Sequence, residues 1–204
     1  MTLAPTATDR GSETRRRILE VAAVAFADRG YAGTSVNDVL KASGVTKGGF
    51  YFHFPSKEAL AVATLRHKQE QWTAAVMAAV LRHARAVDQL SAMVDALCDQ
   101  HERDRACRAV NRLSTELGDE HPELLPELRT QLTTWMDMVA AVIRKGQDEG
   151  EIRPEVEPEV AAEIAVGSFI GLETVSEVLT GRADLRRRAN DFLELWLSAI
   201  RQTS

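Results

Sequence analysis

The chain has 204 residues, of which 45% are hydrophobic and 27% charged, and its formal net charge is −5. This is the composition of an ordinary soluble globular protein, long enough for one sizeable core or for a small module and a larger domain. The polar start, MTLAPTATDRGSETRRR, does not fit a signal peptide, and no window approaches eighteen uninterrupted apolar residues, so the sequence predicts a cytoplasmic protein with no membrane partner.

The charge is divided unevenly along the chain. Residues 1–70 carry ten Lys and Arg against seven Asp and Glu, whereas residues 71–204 carry fifteen against twenty-three. Because basic side chains attract phosphate, a basic first part joined to an acidic body is expected when only one end of a protein meets nucleic acid. The negative net charge therefore does not exclude a DNA-binding protein.

The first element in chain order is a helix that follows a polar terminus. Residues 1–11 contain Pro5 and Gly11 and no apolar run, which predicts a disordered N-terminus. Apolar residues then recur at the helical period on one face, formed by Ile18, Ala22, Ala25 and Phe26. Gly30 marks the end of this helix.

Two short helices follow, joined by the stretch SGVT. Ser35 and Asp38 form the pattern of a capping box at the start of one helix, and Thr46 is placed to cap the other. Gly44 permits the tight turn between them. Supported by the first helix, they predict a helix-turn-helix, which makes residues 12–55 a DNA-binding domain whose third helix enters the major groove.

The third helix contains residues that a purely structural helix would avoid. Gly48 and Gly49 each cost roughly 1 kcal/mol relative to alanine, but they let the backbone approach DNA closely. Lys47 supplies charge and can donate to guanine, and Tyr51 can reach a phosphate or a thymine methyl group. The aromatic residues predicted to anchor the helix against its neighbours are Phe50, Phe52 and Phe54.

The rest of the chain, residues 56–204, also follows the helical period. A long fourth helix starts at Ser56 and continues through Trp72 and Val76. Five further helices are predicted, at about 88–102, 105–118, 122–149, 157–180 and 183–201. No alternating strand pattern and no repeat is present, so we predict an all-α protein, with a three-helix DNA-binding domain and a larger helical domain for ligand binding and dimerisation.

The stretch TRRRILEVAAVAFADRGYAGTSVNDVLKASGVTKGGFYFHFPSKEALA resembles the N-terminal domain of the TetR family of transcriptional repressors. The resemblance implies an all-helical homodimer that binds palindromic, double-stranded operator DNA and is released by a small-molecule inducer. The positions that match the family's DNA-contacting residues are Ser35, Thr46, Lys47, Gly48, Tyr51, His53 and Lys57. A structural hydrogen bond for His53 and a solvated surface charge for Lys57 are the alternatives. Gly49 and Phe50 depart from the Lys-Gly-Ala-Leu-Tyr that is common in the family.

Apolar faces in residues 71–204 are, by themselves, more typical of a core than of a cleft that binds a small apolar ligand, and both interpretations stay open. The segments RLSTE, TTWMDMVAAVIRKGQDEGEI and VGSFIGLETVSEVLTGRADL are similar to the γ-butyrolactone autoregulator receptors of actinomycetes, a TetR branch. In that branch a tryptophan floors the ligand pocket, and Trp135 is the matching residue. Ile170 stands where the branch often has a threonine, so one hydroxyl is lost. The predicted pocket consists of Trp72, Met93, Leu97, Val110, Leu113, Trp135, Val139, Phe169 and Ile170.

The last two predicted helices are expected to form the dimer interface. Gly167 and Gly171 lie four residues apart on one helical face, where small residues allow another helix to approach closely. A dimer is also required if two recognition helices are to reach successive major grooves, about 34 Å apart. The predicted interface consists of Gly167, Gly171, Val175, Val178, Phe192, Leu195 and Trp196.

An enzyme is not expected. The five histidines, at positions 53, 67, 83, 101 and 121, are scattered, and the two cysteines lack metal-ligand spacing, so no catalytic site, metal or cofactor is predicted. The stretch GSFIG resembles a nucleophile elbow but misplaces the serine. Two other functions stay open: a TetR-type repressor of a multidrug efflux or catabolic gene, and an architectural DNA binder without a ligand.

Overall fold

The computed structural model describes residues 7–107, 109, 112–113 and 122–202. Within these ranges the chain forms eight α-helices with defined bounds, two short 3-10 helices (Arg105–Cys107 and Pro122–Leu124) and an isolated β-bridge between Ile152 and Arg201. The α-helices are α1 (Ala7–Arg29), α2 (Val36–Ser43), α3 (Lys47–His53), α4 (Lys57–Val80), α5 (Ala86–Arg103), α6 (Leu125–Asp148), α7 (Pro158–Thr180) and α8 (Leu185–Ile200). The predicted all-α class is confirmed. Among the described residues, no helix is long and apolar enough to cross a membrane.

The helices end close to where the sequence places them, with two differences. α1 begins at Ala7 and so extends into the segment predicted to be disordered, although this stretch contains Gly11 and weak helix formers such as Thr8 and Asp9. Residues 1–6 lie outside the described range. The predicted helix over 105–118 also falls largely outside it, and its described start is the 3-10 helix Arg105–Cys107.

The chain divides into two compact units, and the first consists of Met1–Glu70 with Asp104–Leu128. This unit therefore includes the first part of α4, which the sequence assigned to the larger domain. Its core is built on bulky side chains from α1, α3 and α4, and from the segment Asp104–Leu128. The largest fully buried side chains in it are Ile18, Leu19, Phe26, Phe50, Phe54, Leu60, Leu65, Leu113 and Leu124.

The second unit consists of Gln71–Arg103 with Arg129–Ser204. Here α8 packs against both α5 and α7. Arg186, near the start of α8, is held by three acidic side chains of α5, and its guanidinium lies 2.6 Å from Oδ1 of Asp99 and 2.7 Å from Oε1 of Glu102. Gly181 ends α7 in the left-handed conformation, at φ 56°. These three helices share one apolar core with α6 and with the second part of α4.

Candidate DNA-binding surface and ligand pocket

The turn between α2 and α3 is fixed by its caps. The Oγ of Ser35 accepts from the backbone N–H of Asp38 at 3.2 Å, and Oδ2 of Asp38 accepts from the backbone N–H of Ser35 at 3.0 Å, which confirms the capping box. Gly44 closes α2 at φ 67°, a conformation that side chains disfavour. Thr46 caps α3 by accepting from the N–H of Gly49 at 3.2 Å. The chain is thereby held in the geometry of a helix-turn-helix.

Ser35 is already occupied by this capping box. Its hydroxyl also donates to Oδ2 of Asp38 at 2.7 Å, and these hydrogen bonds lower the pKa of Asp38. The predicted DNA contact of Ser35 therefore has to use its remaining lone pair or its backbone.

α3 has an anchored face and an exposed face. Phe50 and Phe54 are 0% and 2% exposed in the core of the first unit, as predicted. Phe52 is 83% exposed, so the prediction that it anchors the helix is wrong. Phe50 and Phe54 are one helical turn apart, whereas Phe52 lies between them on the opposite side. The exposed face also carries three of the predicted DNA contacts, which are Lys47, Gly48 and Tyr51.

The two glycines of α3 have different surroundings. A Cβ built on Gly49 would lie 3.2 Å from Cγ1 of Val45 and 3.3 Å from Oγ1 of Thr46, so an alanine there would require these side chains to shift by a few tenths of an ångström. A Cβ built on Gly48 would meet nothing within 4 Å. Packing inside the protein therefore gives no reason for glycine at 48, as expected of a position that must let another molecule approach the backbone.

The two remaining predicted contacts both touch other side chains of the first unit. His53 is half-buried, with its ring centre 5.1 Å from that of Phe52 and 6.2 Å from that of Phe54. The ammonium of Lys57 lies 4.0 Å above the centre of the Tyr31 ring, a cation–π contact. If His53 and Lys57 contact DNA as predicted, they do so from side chains that also contact these aromatic rings.

The second unit contains an apolar cavity of about 50 Å³, formed by α5, α6, α7 and α8. It is lined by five of the predicted pocket residues, Met93, Leu97, Trp135, Val139 and Phe169. It is also lined by Leu90, Val94, Ala165, Val166 and Leu193, which the sequence did not assign to it. Leu90 and Val94 lie three or four residues from Met93 and Leu97 on the same helix, so extending the apolar period of α5 would have found them.

Three predicted pocket residues that the structure describes do not line this cavity. Trp72 packs edge-on against Trp135, with 4.5 Å between ring centres, and Ile170 packs on the surrounding core. Leu113 is fully buried in the core of the first unit, so its prediction as a pocket residue is wrong. Val110 lies outside the described residues. Apolar spacing identified a buried face at Leu113, but spacing does not say which core that face joins.

Two predicted interface residues also line the cavity. Phe192 and Trp196 stack on one another at 6.3 Å between ring centres and contribute to the pocket wall, and their place in the dimer interface stays a prediction. Val178 and Leu195 remain on the outside, 77% and 72% exposed. The outer face of α7 is an apolar stripe at helical spacing, formed by Val160, Ile164, Gly167, Gly171, Val175 and Val178.

Polar groups without partners lie next to Trp135. Among the described residues, no hydrogen-bond partner is found for the buried Nε1 of Trp72 or for either amide atom of Gln131. Trp72 touches the Trp135 ring directly, and Gln131 precedes Trp135 by one helical turn. Their uncompensated burial makes them candidates for contact with a bound molecule.

His101 and Glu173 form a buried ion pair next to Phe169. Nε2 of His101 contacts the Glu173 carboxylate, and Nδ1 of His101 lies 2.8 Å from the carbonyl oxygen of Leu97. Both ring nitrogens thus face acceptors, as in a protonated imidazole. Burial by itself would lower the pKa of His101, but the hydrogen bond and charge of Glu173 outweigh it and raise the pKa above its usual range. The His101 ring packs edge-on against Phe169, with 5.9 Å between ring centres.

Comparison with known proteins matches both parts of the chain to one family. The family described as bacterial regulatory proteins, tetR family, matches residues 18–64. The family described as tetracyclin repressor-like, C-terminal domain, matches residues 86–193. Together these ranges include α3 and every residue that lines the cavity except Trp196.

Individual proteins are similar to this chain over most of its length. The A-factor receptor protein of Streptomyces griseus is 35% identical over 195 residues, which is 92% of this chain but 62% of that protein's length. A solved structure described as the molecular basis for control of antibiotic production by bacterial hormones is 34% identical, with a TM-score of 0.83 over 93% of this chain and 98% of that one. TylP, a tetR regulator from Streptomyces fradiae, is 31% identical, with a TM-score of 0.74 over 96% of this chain and 83% of that one.

Proposed function

Because the chain belongs to the TetR family of bacterial regulatory proteins, we propose that it is a repressor that binds a palindromic operator as a homodimer. The repressor leaves the operator when a small, largely apolar signalling molecule, such as a γ-butyrolactone-type autoregulator, binds the second unit. Such a protein works in the cytoplasm, where the operator is, and its role is regulatory rather than enzymatic. The observation that carries the proposal is the division of α3 into an anchored face and an exposed one.

The exposed face of α3 supports DNA binding. The buried side chains of Phe50 and Phe54 anchor one face of the helix, so Lys47, Gly48 and Tyr51 lie on the exposed face of a fixed helix. A fixed recognition helix loses little conformational entropy when it enters a groove. Lys47 supplies a positive charge for phosphate or guanine, and Gly48 leaves the backbone accessible.

The cavity supports a small-molecule ligand. Its walls are apolar and include two tryptophans, Trp135 and Trp196, which offer broad apolar contact surfaces. A volume of about 50 Å³ holds several water molecules. A ligand that binds better to one arrangement of the surrounding helices would link occupancy of the cavity to the conformation of the second unit.

The apolar stripe on the outer face of α7 supports the homodimer. Val178 and Val160 are 77% and 54% exposed, and Gly167 and Gly171 between them have open space where a side chain would be. A stripe of this kind is costly to leave in water and is the usual mark of an interface. Since a palindromic operator repeats its half-site, a twofold dimer presents two copies of α3 to it.

α4 is the element through which ligand and operator would affect each other. It begins at Lys57 in the first unit and ends at Val80 in the second. A ligand that prefers one conformation of the second unit can thus change how the two α3 helices of a dimer are spaced. By linkage, ligand and operator then weaken each other's binding equally, typically by about 1–3 kcal/mol.

The test is a gel shift of the purified protein on DNA from its own upstream region, with and without an organic extract of the producing culture. We expect a sequence-specific shift that the extract abolishes. A specific shift that no extract or drug affects would replace the proposal with an architectural role. Release by many unrelated drugs at micromolar concentrations would indicate a multidrug repressor instead.

A second experiment addresses the route through α4. Cross-linking the two DNA-binding domains of the dimer while it is bound to the operator should prevent ligand-triggered release. Release that persists in the cross-linked dimer would contradict the proposed change of spacing.

A further inference from the structure

Phe52 is the most exposed large hydrophobic side chain in the described part of the chain, at 83%. It lies on α3, close to the end of that helix. Exposed apolar residues that stand alone are common on protein surfaces and need no partner. Phe52 does not stand alone, because it shares the exposed face of α3 with Lys47, Gly48 and Tyr51. Its exposure therefore has to be explained together with the contacts of that face.

Phe52 occupies the middle of the exposed face. An α-helix turns by about 100° per residue, so Phe50 and Phe54 lie about 40° apart on the anchored face. By the same geometry Phe52 stands about 160° from each of them, and Gly48 about 40° from Phe52. A molecule that covers the exposed face of α3 therefore meets Phe52 at its centre.

The exposed face consists of two rows that differ in chemistry. Lys47 and Tyr51, four residues apart, offer an ammonium group and a hydroxyl, which suit phosphate oxygens and polar base edges. Gly48 and Phe52, also four residues apart, offer no side-chain donor and no side-chain acceptor. The second row therefore suits an apolar group.

The second row also has room for such a group. A Cβ built on Gly48 would meet nothing within 4 Å, so the Phe52 ring is farther than this from that point. Long side chains of a helix lean toward its N-terminus, which directs the ring toward the turn of Gly48. His53 packs edge-on against the Phe52 ring, with 5.1 Å between ring centres, and restricts its rotation. The row thus offers an ordered apolar wall beside bare backbone.

Resting on the proposed function, we propose that Phe52 determines sequence specificity by packing on the 5-methyl group of a thymine in the major groove. The other groups that identify base pairs in that groove are hydrogen-bond donors or acceptors, and a phenyl ring satisfies neither. Phosphate is charged, so it suits Lys47 and not Phe52. Each half of a palindromic operator carries this thymine.

The test removes the methyl group from the DNA and the ring from the protein. The DNA is a fragment that the wild type shifts, taken from its upstream region or selected from random-sequence duplexes. It is synthesised once with thymine and once with uracil, which keeps base pairing and removes every 5-methyl group. Synthetic DNA contains no methylated cytosine, so thymine is the source of the methyl group. Fluorescence anisotropy gives the affinity of each protein for each DNA.

The loss of affinity caused by uracil should depend on Phe52. Burial of one methyl group contributes about fourfold to affinity, so over two half-sites the wild type should prefer thymine DNA by roughly tenfold or more. Phe52→Ala should bind the two DNAs nearly alike, because the ring that contacts the methyl group is gone. In the wild type, replacing thymines one at a time should place the effect at one thymine of each half-site.

Two further variants separate this contact from general damage to binding. Tyr51→Ala should weaken binding to both DNAs by the same factor, because it leaves the Phe52 ring in place. Leu81→Ala removes a side chain of the second unit that is also 77% exposed, and it should change neither affinity. Sedimentation of Phe52→Ala without DNA should match that of the wild type.

Three results would overturn the proposal: a thymine preference that Phe52→Ala keeps, a preference that only Tyr51→Ala abolishes, and a changed oligomeric state of Phe52→Ala, which would mean that protein covers the ring. Failure of the proposed function has a different signature, because the wild type then gives no sequence-specific shift on any fragment. A wild type that shifts its operator specifically and binds both DNAs equally contradicts only the contact of Phe52.

Discussion

Lys68 of α4 donates a hydrogen bond to Glu20 of α1, with 2.7 Å between Nζ and Oε2. The same ammonium lies 3.0 Å from Oδ2 of Asp104, and its side chain is 4% exposed. Burial by itself would lower the pKa of Lys68, but the hydrogen bonds that it donates to Glu20 and Asp104 outweigh burial and raise the pKa above its usual range. A charge buried in this way ties α4 to the helix that supports the recognition helix.

Removing that charge should destabilise the first unit. Lys68→Met removes the ammonium that pairs with both Glu20 and Asp104, while Glu20 keeps its contact with His67, and we expect the free energy of unfolding to fall by about 3 kcal/mol, since both carboxylates are partly exposed. Arg66→Met is the control, because Arg66 pairs with Glu127 from a side chain that is 64% exposed. Such an exposed pair contributes at most about 1 kcal/mol. Urea unfolding measures the free energy of unfolding of both variants. Equal losses of stability would contradict the role given to the buried Lys68.

Gly48→Ala should separate stability from DNA binding. A Cβ at position 48 meets nothing in the protein, and alanine favours a helix, so the free energy of unfolding should rise by up to about 1 kcal/mol. Operator affinity should fall at the same time, because the methyl group stands where the backbone approaches DNA. Thermal unfolding and gel shift on the same sample measure the two effects. Unchanged operator affinity would show that the open space at Gly48 has no role in binding.

Lys47→Ala should weaken DNA binding through charge. A lysine that contacts phosphate adds about one unit to the slope of log affinity against log salt, so the variant should bind less tightly and with a shallower slope. Arg82→Ala makes the same change of charge at an exposed position of the second unit. Fluorescence anisotropy at several salt concentrations compares them. The same change of slope in both variants would indicate a general charge effect rather than a contact.

Val178→Glu should disrupt the dimer. Val178 is 77% exposed in the protomer, so a charge there should leave the protomer folded and penalise only a partner that covers it. Leu81, at the end of α4, is also 77% exposed and serves as the control through Leu81→Glu. We expect sedimentation to show a monomer for the first variant and a dimer for the second. If Val178→Glu remains dimeric, the stripe on α7 is not the interface.

The His101–Glu173 pair should make stability depend on pH. Because the pKa of His101 is raised in the folded protein, the pair stabilises fully below the unfolded value of about 6.5 and loses its effect as pH rises through the folded pKa. The difference in Tm between the wild type and Glu173→Gln should thus be largest at mildly acid pH and narrow toward alkaline pH. A difference that grows with pH would contradict a protonated His101.

Local features were predictable because they depend on residues close together in sequence. The caps at Ser35 and Thr46, the turn at Gly44 and the inward positions of Phe50 and Phe54 all follow from spacing within one or two helical turns. The helical class and the family resemblance rest on the same local patterns. The sequence also singled out Trp135 through resemblance, and the structure places it in the cavity wall.

Only the tertiary structure decided which core each apolar face joins. Leu113, Phe192 and Trp196 stand on helical faces that any periodicity analysis marks as buried or interfacial, but their partners come from segments far away in the chain. For the same reason, the sequence could not show that Gln131 is buried without a partner. Periodicity fixes a side chain's direction relative to its own helix axis, whereas burial and hydrogen bonding depend on how separate helices pack.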